Sequence, residues 1–214
     1  MNKIMRKLAV CVTICLVAVF ALCGCGGPTP TETADTFLTA VKSGDTETIK
    51  TVYDGGSFNL LSAVEDEESE EGDEAADDNY FEEILLPKLQ DFNYELSNEK
   101  IDGNKATVDV KITTYDIGSA FSSFMSEYFT QALTLAFDGA SEEQIEKLAN
   151  TLFETEINKL KKRIYSETVT LDLVKRDDTW KVAAVDGDSS FLNALTGNMI
   201  KTLENLEEAY SFDE

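Results

Sequence analysis

The sequence predicts an α+β fold: N-terminal helices, an antiparallel four-stranded curved sheet, an inserted helical hairpin and a C-terminal helix. Three observations carry this. Apolar residues recur with helical spacing through 34–53. The period changes to two at 92–112 and again at 169–184, which marks half-buried strands. Between and after these strand pairs, 117–164 and 189–210 return to helical spacing. Helices leading into an antiparallel sheet make an α+β arrangement, and 214 residues suffice for one domain with a sizeable core.

The elements follow in chain order. Residues 1–7 hold three cations and no acid, and Leu8 to Leu22 are uncharged. A positive start and a short apolar run make a secretory signal. Fifteen helical residues span only about 22 Å, short of the roughly 30 Å of a bilayer core. The segment ends Leu22-Cys23-Gly24-Cys25. This resembles the lipobox of bacterial lipoproteins. The resemblance implies a signal peptide over 1–24, cleavage after Gly24 and a diacylglyceryl thioether on Cys25, with palmitate-type acyl chains. It places the protein at the cell membrane, lipid-anchored on the extracytoplasmic face. Two or more acyl chains anchor stably where one is marginal. Residues 25–33 are rich in Gly, Pro and Thr and read as a tether.

The domain proper is expected over 34–214. Ala34, Phe37, Leu38 and Val41 form one helix with Thr33 as N-cap; Ile49, Val52 and Tyr53 form the next, up to Gly55-Gly56. Ten of the fourteen residues 65–78 are acidic, so 63–79 reads as a disordered, solvated surface loop. It lacks the D-x-D-x-D-G spacing and distal Glu of an EF-hand calcium site, which leaves weak cation association as the alternative. Tyr80 to Leu86 reads as a third helix closed near Pro87.

Phe92, Tyr94 and Leu96 alternate with polar residues, Asp102-Gly103-Asn104 turns the chain, and Ala106, Val108, Val110 and Ile112 return. Phe121, Phe124, Tyr128, Ala132 and Leu135 make the stripe of the hairpin's first arm. After Asp138-Gly139, Ser141 caps a second arm carrying Ile145, Leu148, Leu152, Ile157, Leu160 and Ile164. Lys159, Lys161, Lys162 and Arg163 then suit its C-terminal dipole. The second strand pair holds Val169, Leu171 and Leu173, a turn at Arg176-Asp177-Asp178, then Trp180, Val182 and Ala184. Leu192, Leu195, Met199, Leu203, Leu206 and Tyr210 define a helix over 189–210.

This order, with Ala34 to Asp45, Lys105 to Val110 and Asp178-Thr179-Trp180-Lys181-Val182, is similar to the NTF2-like (cystatin-like) superfamily, and within it to bacterial lipoproteins of unknown function. The resemblance implies a sheet concavity that can hold a ligand. The hairpin and the C-terminal helix depart from it.

Composition narrows the chemistry. The chain has 41 Asp and Glu against 18 Lys and Arg and no histidine, a net charge of −23. No nucleic-acid partner is expected, because phosphate contacts need a basic face. Triads and zinc sites that use histidine are excluded. The four cysteines all lie at or before residue 25, so no disulfide or Cys₄ site is expected in the domain. Asp109 falls on the polar side of its strand and no acid is expected inside the concavity. The protein is therefore not expected to be an enzyme, with no catalytic residue, no metal site and no cofactor. The candidate ligand-contacting residues are Tyr94, Trp180, Phe121, Phe124 and Tyr128, although residues of these types at such positions are more often core packing. The expected partners are the membrane, through the lipid on Cys25, and an unidentified small molecule or protein. A membrane-proximal assembly subunit, pairing through its apolar helices, is one alternative; an NTF2-like enzyme, which would need a buried Asp, Glu or Tyr converging on the concavity, is the other.

Overall fold

The computed structural model describes residues 27–60, 78–187 and 189–210. The signal segment, Cys25 and nearly all of the acidic loop 63–79 lie outside the described residues. The elements are α1 (Pro30–Ser43), α2 (Thr46–Val52), α3 (Asp78–Gln90), β1 (Asn93–Asp102), β2 (Lys105–Thr114), α4 (Ile117–Phe137), α5 (Glu142–Lys159), β3 (Tyr165–Arg176), β4 (Thr179–Val182), α6 (Ser190–Leu195) and α7 (Met199–Tyr210). The fold is a mixed α+β one, as expected: helices with a curved, unclosed, four-stranded antiparallel sheet in the order β1-β2-β3-β4.

The sheet has a dry face and a wet one. Val108, Val110, Ile112, Leu171, Leu173 and Val182 turn the same way and are nearly inaccessible. α1 covers this face across β1, β2 and β4 with Phe37, Leu38 and Val41, and α6 covers β2 and β3 with Phe191 and Leu195. The concavity is thus occupied by the protein's own helices. On the wet face Asp109 accepts from Asn98 Nδ2 (2.9 Å) and Thr170 Oγ1 (3.1 Å), which holds its carboxyl below the usual range. A bulge at Asn98, φ +54, interrupts the β1–β2 register between Ser97 and Lys100. Asp177 and Asp178 both adopt positive φ in the β3–β4 turn, the backbone that a two-residue hairpin of this twist needs. Asp54 N–H donates to Val182 O (2.8 Å) and Arg176 grips the Asp54 carboxylate, so this segment covers the outer edge of β4.

Several boundaries differ from the sequence expectation. The first helix is capped by Thr29, not Thr33: Thr29 and Glu32 form a capping box and Pro30 opens the helix. Pro87 does not close the third helix. α3 runs through it to Gln90, because Leu85 and Leu89 on either side are buried and hold the turn in place. α5 ends at Lys159, so Lys161, Lys162 and Arg163 stand beyond it and Ile164 is 71% exposed. β4 stops at Val182 and Ala184 is exposed. The C-terminal helix is two helices, α6 and α7, separated by Thr196-Gly197-Asn198 with positive φ at the last two.

Candidate functional site

The predicted site residues fall in three separate places. Tyr94 lies on edge strand β1, where its hydroxyl donates to Asp35 Oδ1 (2.7 Å) and lies 3.0 Å from Thr39 Oγ1. Burial, with the neighbouring Asp35, pushes its pKa up. Trp180 lies at the opposite edge on β4, 8% exposed, with Lys175 Nζ 6.0 Å from its ring. Phe121, Phe124 and Tyr128 lie together on α4. Cys25 is outside the described residues.

The α4 aromatics belong to a chain of rings that runs from core to surface. Phe153 on α5 is 2% exposed and meets Phe124 edge-on at 5.6 Å. Phe124 stacks on Tyr128 at 5.8 Å and touches Phe121 at 5.7 Å. Tyr128 contacts Phe129 at 6.1 Å, and there the burial ends. Phe129, Leu133 and Phe137, one turn apart along α4, are 39%, 60% and 89% exposed. Glu127 is the only charged residue of α4. From Met125 to Thr151 the hairpin contributes no buried residue, so its outer half projects from the body.

The base of this hairpin is fixed tightly. Asp116 caps α4 by accepting from Ser119 N (3.2 Å) and Ser119 Oγ (2.8 Å). Gly118 N–H donates to Gly197 O (2.9 Å), a crossing too close for side chains at either position. Tyr115 Oη donates to Asp91 Oδ2 (2.7 Å), which raises the phenol pKa, and Arg163 pairs with the same carboxylate. Lys88 Nζ donates to the carbonyl of Leu160, the C-cap of α5 (2.9 Å), and lies over the Tyr115 ring at 4.4 Å. α4 packs along α7, and α5 reaches α3.

The expectation that no acid enters the concavity does not hold. Glu167 lies on the same face as Val169 and Leu171, so an acid does reach the covered side of the sheet. It sits at the sheet end, where Tyr165 Oη donates to it and Asn193 Nδ2 donates to Tyr165 Oη at 3.4 Å. Burial, then Glu167, holds the phenol well above its ordinary pKa. Thr114, opposite Tyr165, is fully buried with its hydroxyl unpartnered. The Tyr165 proton is already committed to Glu167, which makes this cluster a lock between sheet and α6. A separate cleft of about 450 Å³ lies between α1, α2 and α3, lined by Val41, Ile49, Phe58, Leu60 and Leu86. Among the described residues no group of three potential metal ligands converges. Among them too, no helix is long and apolar enough to cross a membrane.

The stripe expected on α4 holds Phe121, Phe124, Tyr128, Ala132 and Leu135 and leaves out Leu133 and Phe137. Leu133 and Phe137 were legible in one signal: a 21-residue helix with a single charge, apolar on more than one face. Such a helix is ordinarily enclosed, and here its outer half is not.

A family model described as "Domain of unknown function (DUF5105)" matches residues 41–196. No curated protein matches the chain. Among solved structures, the crystal structure of "a putative lipoprotein (ycdA)" from Bacillus subtilis subsp. subtilis str. 168 is similar at 16% identity and a TM-score of 0.43. The match covers 79% of this chain and 48% of that one, so the chain spans about half the length of that structure.

Proposed function

The chain belongs to the DUF5105 family, and from that premise we propose that it is a lipid-anchored, extracytoplasmic, non-catalytic module that binds a protein through the outer half of its α4–α5 hairpin. The anchor rests on the basic start, the short apolar run and Cys25 in its lipobox-like setting. The NTF2-like resemblance implies an open sheet concavity, and the hairpin and the C-terminal helices depart from it. The concave face is filled by α1 and α6, which favours a protein partner over a small molecule in the sheet.

One observation carries the binding site: the exposed ridge Phe129, Leu133 and Phe137 on an almost uncharged helix. Interface cores are enriched in aromatics and depleted in charge, and contiguous exposed apolar patches mark interaction sites. The test is native mass spectrometry of the membrane-extracted protein, as wild type and as Leu133→Glu/Phe137→Glu. Both substitutions fall at exposed positions, so circular dichroism should be unchanged. The wild type is expected in a defined complex that the double variant loses. A complex that survives the double variant, or a wild type that is monomeric throughout, refutes the reading.

A further inference from the structure

The start of α1 fixes which end of the domain a lipid on Cys25 would hold at the membrane. Gly27 packs against the β3–β4 turn: a Cβ there would lie 3.9 Å from the carbonyl oxygen of Asp178. Two residues on, Thr29 caps α1, and both Thr31 N and Thr31 Oγ1 donate to Glu99 beside the β1 bulge (2.9 and 2.6 Å). The β1–β2 turn stands at this same end, because Lys175 N donates to Asn104 O (2.8 Å). Cys25 is two residues before Gly27 and, whatever the conformation between them, lies within about 7 Å of it. A lipid on Cys25 therefore leaves the domain at the end bearing both hairpin turns.

That end is suited to a headgroup surface. Ile101 is 56% exposed there, an apolar side chain past the edge of the core. Lys100 and Lys105 flank it and are exposed, and Lys175, Arg176 and Lys181 are nearby. These five are a third of the 15 cations that follow Cys25, and two of them, Lys175 and Arg176, pair with Asp178 and Asp54. Repulsion between the acidic domain and anionic lipid acts over only about 8 Å.

The opposite end carries the rival surface. Lys161, Lys162 and Arg163 are exposed beside Ile164, immediately before β3. Thr114 and Tyr165 pair at that end, and the ten residues of β2 separate it from the turns by about 30 Å. The hairpin starts there, directly after β2.

We infer that the turn end of the sheet, around Lys100, Ile101 and Lys105, rests on lipid headgroups, and that the α4–α5 hairpin rises from the end facing away from the membrane. This rests on the anchored reading above, and it places the binding ridge on a membrane-distal element instead of a membrane-proximal one.

The test is lysine acetylation footprinting, read by mass spectrometry, and needs no substitution in the surface itself. The mature chain from Cys25, which contains every described element, is coupled through its Cys25 thiol to a maleimide lipid. The vesicles are phosphatidylcholine containing phosphatidylglycerol. The reference is the same chain as Cys25→Ser, free in solution. Acetylation of Lys100 and Lys105 is expected to slow several-fold on vesicles, with Lys161 and Lys162 unchanged. Protection of Lys161 and Lys162 instead, or of neither pair, overturns the orientation, the second result meaning that the domain stands clear of the surface. Because the anchor is supplied chemically, this outcome is independent of whether cells lipidate Cys25, which is measured separately.

Discussion

Gly197→Ala should be among the most damaging single-methyl changes in this protein. Gly197 has φ +59, where an L-residue costs about 1–2 kcal/mol. A Cβ there would also lie 2.0 Å from the carbonyl oxygen of Tyr115 and 3.1 Å from the nitrogen of Ile117. Neither neighbour can step aside, because both are backbone at the junction of β2 and α4. Overpacking of this kind adds about 1–3 kcal/mol. The sum is roughly 2–5 kcal/mol, a large fraction of a typical stability of about 5–15 kcal/mol. At this chain length each kcal/mol moves Tm by about 2–4 °C, so a fall of roughly 4–20 °C is expected. Gly103→Ala is the matched control: its φ is also +59, but nothing lies within 4 Å of the added carbon. It should cost only the backbone share, about 1–2 kcal/mol, less a few tenths recovered from the unfolded chain. The assay is thermal and urea unfolding of the two variants beside wild type. Equal losses would refute the argument, because they would mean that the crossing of the α6–α7 link over the start of α4 is loose.

Three further outcomes follow from the same packing. Phe153→Ala should cost about 3–5 kcal/mol in urea unfolding, whereas Phe137→Ala should stay within about 0.5 kcal/mol, since only the first ring is enclosed. Asp54 is held below its ordinary pKa, chiefly by the hydrogen bond from Arg176. A depressed folded pKa gives stability that is present above the unfolded pKa and disappears as pH falls through the folded one. Asp54→Asn should therefore lower stability by a constant amount above the unfolded pKa, flatten part of the acid limb of a stability–pH curve and leave the slope above neutrality unchanged. Tyr165→Phe should cost about 1–3 kcal/mol, because Glu167 and Asn193 each lose a partner.

Much of the architecture was legible because burial on one face writes itself as period. Ala106, Val108, Val110 and Ile112, with Val169, Leu171 and Leu173, could be read as half-buried strands with no knowledge of their partners. The helix ends were less legible, since capping and tertiary support decide them. Leu192, Leu195, Met199, Leu203 and Leu206 keep helical spacing straight across a break, and only Thr196-Gly197-Asn198 signals that the chain stops and restarts. Pro87 looks like a terminator until Leu89 is seen to be buried beyond it. Ile164 continues the apolar spacing of α5 yet stands in the open, because Leu160 already caps that helix. The candidate site divides in the same way. Phe124 was readable as part of a packed stripe, whereas the exposure of Leu133 and Phe137 depends on how far the hairpin outruns its neighbours, which spacing alone does not encode.

The covalent state of Cys25 decides most directly whether the domain is lipid-anchored. Intact-mass and N-terminal peptide analysis of the protein extracted from its own membranes measures it. A chain that begins at Cys25 and carries a diacylglyceryl group is expected. A chain that retains residues 1–24, or one that begins elsewhere without lipid, would contradict it.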